Sequence, residues 1–206
     1  MSPLQARAAI QRGGLRGEAL REVIRAAPWR DRERFVDQML GLPPIPPDAP
    51  LPSGAVPYLP SPVDTVLAAA REAPITSRDV FVDVGSGLGR VAMLVHLLTG
   101  AVAKGVELQP ALVALARARC AELGLKGVSF TQGDATTVAP EALEGSVFYL
   151  YAPFNGPMKR RALARLQAIA QTRRVRLCAI DFELSEEAWL RERPSTDLSL
   201  TLYVSR

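Results

Sequence analysis

The chain has 206 residues, long enough to bury a substantial core. Hydrophobic residues make up 48% and charged residues 22%, which excludes a disordered or low-complexity chain. The net charge is +4, almost all of the positive charge is arginine, and there is neither a long uncharged apolar run nor the apolar core of a secretory leader. A cytoplasmic protein without a membrane span is therefore expected.

In residues 1–41, Leu20, Val23 and Ile24, then Phe35, Met39 and Leu40, recur at helical spacing. They predict two short helices with a break near Ala27–Pro28. Residues 42–62 hold nine of the 17 prolines and read as an extended tether. Ser61-Pro62-x-Asp64 predicts a helix start, with Ser61 as N-cap, running to about Glu72. Strands are then expected at Val80–Val84, Ala101–Leu108, Val128–Gln132, Val147–Tyr151 and Val175–Ile180. Helices are expected at Leu88–Leu98, Pro110–Leu123 and Pro157–Ala170. The tail adds two strand candidates, 188–193 and 198–204, around a turn at Pro194–Asp197.

This rhythm predicts an α/β fold: a doubly wound, mostly parallel seven-stranded sheet with a C-terminal antiparallel hairpin. The chain divides into a small N-terminal helical extension with its Pro-rich tether, residues 1–60, and a main domain, residues 61–206. Right-handed crossovers place the loops after the first four strands on one edge, where open α/β sheets bind ligands.

The sequence V-F-V-D-V-G-S-G-L-G-R, residues 80–90, is a buried strand breaking into a glycine-rich turn and a helix. It lacks the lysine of a P-loop, and Arg90 stands where a dinucleotide fingerprint needs its third glycine. Gly85, Ser86, Gly87 and Gly89 are expected to let a ligand lie on bare backbone, beside Asp83. Glu107 ends the next strand, where its two oxygens can accept from two ribose hydroxyls. Asp134 follows the third strand and can accept from an adenine amino group, with Leu108 and Ala135 flanking the ring.

The pattern D-x-G-x-G-x-G, with Glu107 and Asp134 in order after it, resembles the first motifs of the class I S-adenosylmethionine-dependent methyltransferases over residues 61–206. A narrower likeness is to the seven-strand, non-SET lysine methyltransferases, carried by residues 80–90, by G-V-E-L-Q-P-A-L and by Pro57-Tyr58-Leu59-Pro60-Ser61. The resemblance implies S-adenosyl-L-methionine as cofactor, with Tyr58 and Ser61 reaching over it. The loop Tyr151-Ala152-Pro153-Phe154-Asn155 keeps an aromatic after proline but has Tyr151 where amino-directed enzymes carry an acid or amide. Tyr58, Tyr151 and Phe154 are the candidates for lining the acceptor site, with Asp181 and Glu183 as further polar groups nearby. Asn155 also reads as a helix cap.

The expected activity is methyl transfer to a protein side chain or small-molecule amine. The alternatives are a biosynthetic small-molecule methyltransferase, with the first 41 residues as a lid, or a non-catalytic module that binds the cofactor. Lys159–Arg176 carries seven basic and no acidic residues but lacks interleaved aromatics, so RNA methylation is only a minor alternative. The lone His96 sits mid-helix and reads as structural. Cys120 and Cys178 read as small buried residues, and no metal site is expected.

Overall fold

The computed structural model describes residues 1–206. Its helices are α1 (Pro3–Gln11), α2 (Gly17–Ala26), α3 (Arg32–Leu40), α4 (Val63–Glu72), α5 (Arg90–Thr99), α6 (Pro110–Glu122) and α7 (Gly156–Ala170). Its strands are β1 (Val80–Val84), β2 (Val102–Glu107), β3 (Val128–Gln132), β4 (Val147–Tyr151), β5 (Arg176–Ile180), β6 (Leu190–Arg193) and β7 (Leu200–Ser205). They form one sheet in the order β3-β2-β1-β4-β5-β7-β6. The first five strands are parallel, and the β6–β7 hairpin enters antiparallel through β7. Because β1 lies between β2 and β4, the chain reverses its winding there, and a crevice opens at the strand C-termini.

The pleat sends alternate residues to opposite faces. Phe81, Ala103, Tyr149 and Cys178 join the core beneath α4, α5 and α6. Val82, Val84, Phe148, Leu150 and Leu177 face the other way, toward Leu163 and Leu166 of α7. The central strands are buried on both faces, which is why they read as unbroken apolar runs rather than alternation.

The N-terminal region holds three helices, not two. Gly13 adopts a left-handed φ of 74° and ends α1, a break with no proline to announce it. Ile10, Leu20, Ile24, Val36, Met39 and Leu40 are fully buried in the same core as α4–α6. At about 1.5–3 kcal/mol each as an upper bound, their burial amounts to something on the order of 10 kcal/mol. Apolar burial therefore supplies most of what holds these helices in place, and polar contacts set where they sit.

The expected Ser61 cap is absent. Helix α4 has Pro62 at its cap position and no capping side chain of its own. Instead Glu33 Oε1, from α3, accepts the Val63 amide at 2.7 Å. The other oxygen of Glu33 pairs with Arg90, the buried first residue of α5. Asp37 Oδ1 lies 3.2 Å from Arg90 Nε, and Arg90 Nη1 donates to the Ser61 carbonyl at 3.3 Å. One guanidinium thus ties α3, the entry to α4 and the start of α5 together.

Arg90→Met keeps the volume and deletes these bonds. The side chains of Glu33 and Asp37 remain 49% and 37% exposed, so they can rehydrate. The expected loss is accordingly about 1–3 kcal/mol, below the cost of stranding a fully buried charge. Urea titration with an unchanged m-value checks it.

Candidate active site

The glycine turn joins β1 to α5. Gly85, Gly87 and Gly89 all have positive φ, 86°, 52° and 78°, which L side chains adopt only with strain. The turn is fixed from below, because the Gly85 and Ser86 amides both donate to the Val106 carbonyl, at 2.8 and 3.1 Å. Its bare faces are packed by protein. A β-carbon at Gly85 would lie 3.2 Å from Pro153, one at Gly87 1.8 Å from the Tyr58 ring, and one at Gly89 2.4 Å from Phe130. The space expected for a ligand at Gly87 is therefore occupied by Tyr58.

Glu107, at the tip of β2, turns back onto this loop. Its Oε2 accepts the Gly87 amide at 2.9 Å and its Oε1 accepts the Gln109 amide at 2.8 Å. Burial raises its pKa, while the Gln109 and Gly87 amides oppose the shift. Each oxygen keeps a lone pair for another donor. Asp83 lies deeper, and burial together with the nearby charge of Glu107 pushes its pKa up to about 8. Asp83 Oδ2 and Ser86 Oγ are both buried without a protein partner. Buried polar atoms are normally satisfied, so each of the two keeps capacity for a further partner.

A cleft of about 960 Å³, counting the space open to solvent, runs along this edge. Asp83, Gly85 and Ser86 line it from the turn, Glu107, Leu108 and Gln109 from the end of β2, and Asp134 and Ala135 from the loop after β3. Tyr151, Ala152, Pro153 and Phe154 form the wall after β4. Tyr58 and Ser61 border it from the connector. Gly87 and Gly89 do not border it; they shape the turn from behind Tyr58 and Phe130. Asp134 spends Oδ1 on the Thr136 amide at 2.7 Å and keeps its other oxygen free. Burial, with Arg90 and the Leu88 amide opposing, pushes the Tyr58 phenol up to about 12.

Asp181 and Glu183 do not reach the cleft; both are exposed, and Glu183 caps the Ser185 amide at 3.1 Å. Asn155 occupies the cap position of α7 without a side-chain bond, and its amide instead donates to the Gly54 carbonyl at 2.9 Å. His96 Nδ1 lies 2.7 Å from the Ala101 carbonyl, a structural contact. Both cysteines are free and buried. No cluster of three metal-ligating side chains exists.

Beyond Tyr58 and Ser61, the roof was not legible in the sequence. The connector lies across the cleft, with Leu51, Ala55, Val56, Pro57 and Leu59 lining it and Ala55 bridged to Phe154. None of residues 1–41 reaches the cleft, so the cover is the connector and not the helices. Gln109, Arg90 and Met158 were also missed, since each meets the cleft only through tertiary packing.

Residues 75–154 match the family described as a methyltransferase domain. No curated protein matches the chain. Among solved structures it is similar to an RNA methyltransferase from Salinibacter ruber in complex with S-adenosyl-L-homocysteine, at 26% identity and a TM-score of 0.53, over 71% of this chain and 92% of that one. It also resembles a SAM-dependent methyltransferase from Aquifex aeolicus, at 16% identity and a TM-score of 0.52, over 70% of this chain and 92% of that one. MtNAS in complex with MTA and tNA aligns at 19% identity and a TM-score of 0.56, over 90% of this chain and 67% of that one. That last overlap extends the likeness of fold into the N-terminal helices.

Gly87→Ala drives a methyl into the Tyr58 ring and strains a backbone at φ 52°. The expected loss of stability exceeds the ~1–2 kcal/mol of the backbone alone. Adding Tyr58→Ala should recover the steric part and leave the backbone part, which a double-mutant cycle in denaturant measures.

Proposed function

We propose that this chain, which carries a class I S-adenosylmethionine-dependent methyltransferase domain, moves a methyl group onto an amine nitrogen of a lysine-like protein side chain or a small molecule. The charge of the cleft carries this reading. Its carboxylates are Glu107 and Asp134, with Asp83 a third acid that ionises when a cation arrives, and its one cation, Arg90, already faces Glu33 and Asp37. Such a cleft favours a cationic donor and an acceptor that is neutral or positive, and it offers an anionic acceptor no partner. No helix is long and apolar enough to cross a membrane, and two free buried thiols suit a cytoplasmic location.

When bound, S-adenosylmethionine supplies a methyl carbon already activated by its sulfonium, so the chain's task is alignment and exclusion of water. Glu107 would hold the ribose hydroxyls on its spare lone pairs. Asp83 Oδ2 and Ser86 Oγ would take the ammonium, and Asp134 the adenine amino group, with Leu108 and Ala135 against the ring. Tyr151 and Phe154 would flank the incoming amine. The carbonyl of Ala152 in the same wall receives no bond from any protein donor and can accept from it. No side chain in the wall has the pKa of a strong general base, so the amine must shed its proton before or on entry.

A small-molecule acceptor is favoured by one further observation. The Ala55–Phe154 bridge closes the connector over the acceptor wall, which leaves little room for a folded protein surface. Radiolabelled methyl transfer into a fractionated lysate separates the classes. Label in the protein or small-amine fraction supports the reading. Label confined to RNA, the substrate class named for the Salinibacter ruber protein, overturns the amine assignment.

Two binding measurements test the cofactor residues. Glu107→Ala should weaken S-adenosylhomocysteine by about 1–3 kcal/mol in calorimetry. Asp83, whose pKa of about 8 leaves it mostly protonated at neutral pH, must ionise to meet an ammonium. Binding should therefore release a proton and tighten as pH rises from about 6 to 8, which calorimetry in buffers of different ionisation enthalpy detects.

A further inference from the structure

Gln109 stands at the junction of the cleft floor and the roof. It is buried, two residues beyond Glu107, at the entry to α6. Its backbone amide donates to Glu107 Oε1 at 2.8 Å. Its side-chain Oε1 accepts the Ala49 amide at 2.9 Å, and its Nε2 donates to Asp48 Oδ1 at 2.7 Å. The same Asp48 oxygen accepts the Tyr58 amide at 3.3 Å. A continuous path of hydrogen bonds thus runs from Glu107 through Gln109 and Asp48 to the residue whose ring covers Gly87.

Only a neutral amide suits this place. It must accept from Ala49 and donate to Asp48 with one side chain, and a carboxylate there would face Asp48 with like charge. The connector's other end is held separately, by the Ala55–Phe154 bridge, in which the Asn155 amide donates to the Gly54 carbonyl at 2.9 Å. The roof is therefore held on both sides of the cleft. On the cofactor side Gln109 alone bonds residues 48 and 49, beside the Tyr58 ring that packs on Gly87.

We infer that Gln109 is a positioning residue, which clamps residues 48–58 over the cleft and makes the seating of the roof depend on the placement of Glu107. It acts through Asp48 and Glu107 and contacts no reacting atom. The inference rests on the reading of Glu107 as the ribose carboxylate. Because the path is continuous, a ligand bound to Glu107 and a seated roof support each other, and a roof that lifts leaves the ribose side open to water.

The clamp can be cut from either end. Gln109→Ala removes it from α6, and Asp48→Ala removes it from an exposed connector residue whose loss leaves the core untouched. Each variant is read at an amide whose own acceptor survives: Tyr58 in Gln109→Ala, and Ala49 in Asp48→Ala. Hydrogen–deuterium exchange at those amides should quicken by about tenfold or more, and the Kd for S-adenosylhomocysteine should rise roughly tenfold in both, the loss of one charge-assisted bond. The double variant should bind no more weakly than the worse single variant, and Asp48→Asn, which keeps the accepting oxygen but not its charge, should lie between the unaltered chain and Asp48→Ala. Unchanged exchange in either variant would overturn the clamp. A weaker Kd in Gln109→Ala with none in Asp48→Ala would overturn it too, because Gln109 would then act on Glu107 alone. If the unaltered chain fails to bind S-adenosylhomocysteine, the cofactor reading falls, and the exchange rates still decide the clamp by themselves.

Discussion

The edge of this sheet depends on one buried carboxylate meeting two backbone amides. Glu107 takes the Gly87 amide from the turn after β1 and the Gln109 amide from the start of α6, one on each oxygen. Both donors belong to segments that have left regular structure and have no strand or helix partner to accept from them. Buried amides of this kind must be satisfied, so a side chain that could not accept twice would leave both unpaired. Two loops that are distant in sequence are consequently held in one geometry. The strain is electrostatic: the same burial that makes the bonds strong also raises the pKa of Glu107 and, with the charge of Glu107, that of Asp83. A polarised floor of this sort is suited to a positively charged guest.

The far end of the turn is fixed in a different way. Arg90 begins α5 and is held by Glu33 and Asp37, so the N-terminal helices reach the glycine loop through charge while they attach to the domain through apolar burial. Glu33 serves twice, as a partner of Arg90 and as the acceptor for the first amide of α4. A division of labour follows. The buried side chains of α1–α3 supply strength without much direction, and the ion pairs supply register, because a guanidinium between two carboxylates tolerates little sliding.

Much of this was legible in the chain. The alternation of apolar runs and helical spacing placed every strand within a residue or two, because strands buried on both faces leave no other pattern. The glycine turn, Glu107 and Asp134 announced themselves by following successive strands. What was not legible came from groups that meet only in three dimensions. Nothing in the connector's prolines says that Ala49 will bond a glutamine 60 residues away. Gly87 looked like room for a ligand, whereas the ring of Tyr58 fills that space. Gly105, inside a central strand, passed without notice, yet a β-carbon there would strike both Phe130 and Ser86. Ser61 had the chemistry of a cap, but a carboxylate from α3 had the position. The break at Gly13 carried no proline and left the helical spacing on either side intact.

The connector's composition has a consequence for how the enzyme would open. Nine prolines in 21 residues leave it few amide hydrogens and few backbone shapes. Detaching it from the domain would unpair few groups and release little chain entropy, so the segment behaves less like a loop that melts than like a splint swinging between two fastenings. Ligand exchange would then be a mechanical event, quick and local, that leaves the folded body of the protein undisturbed.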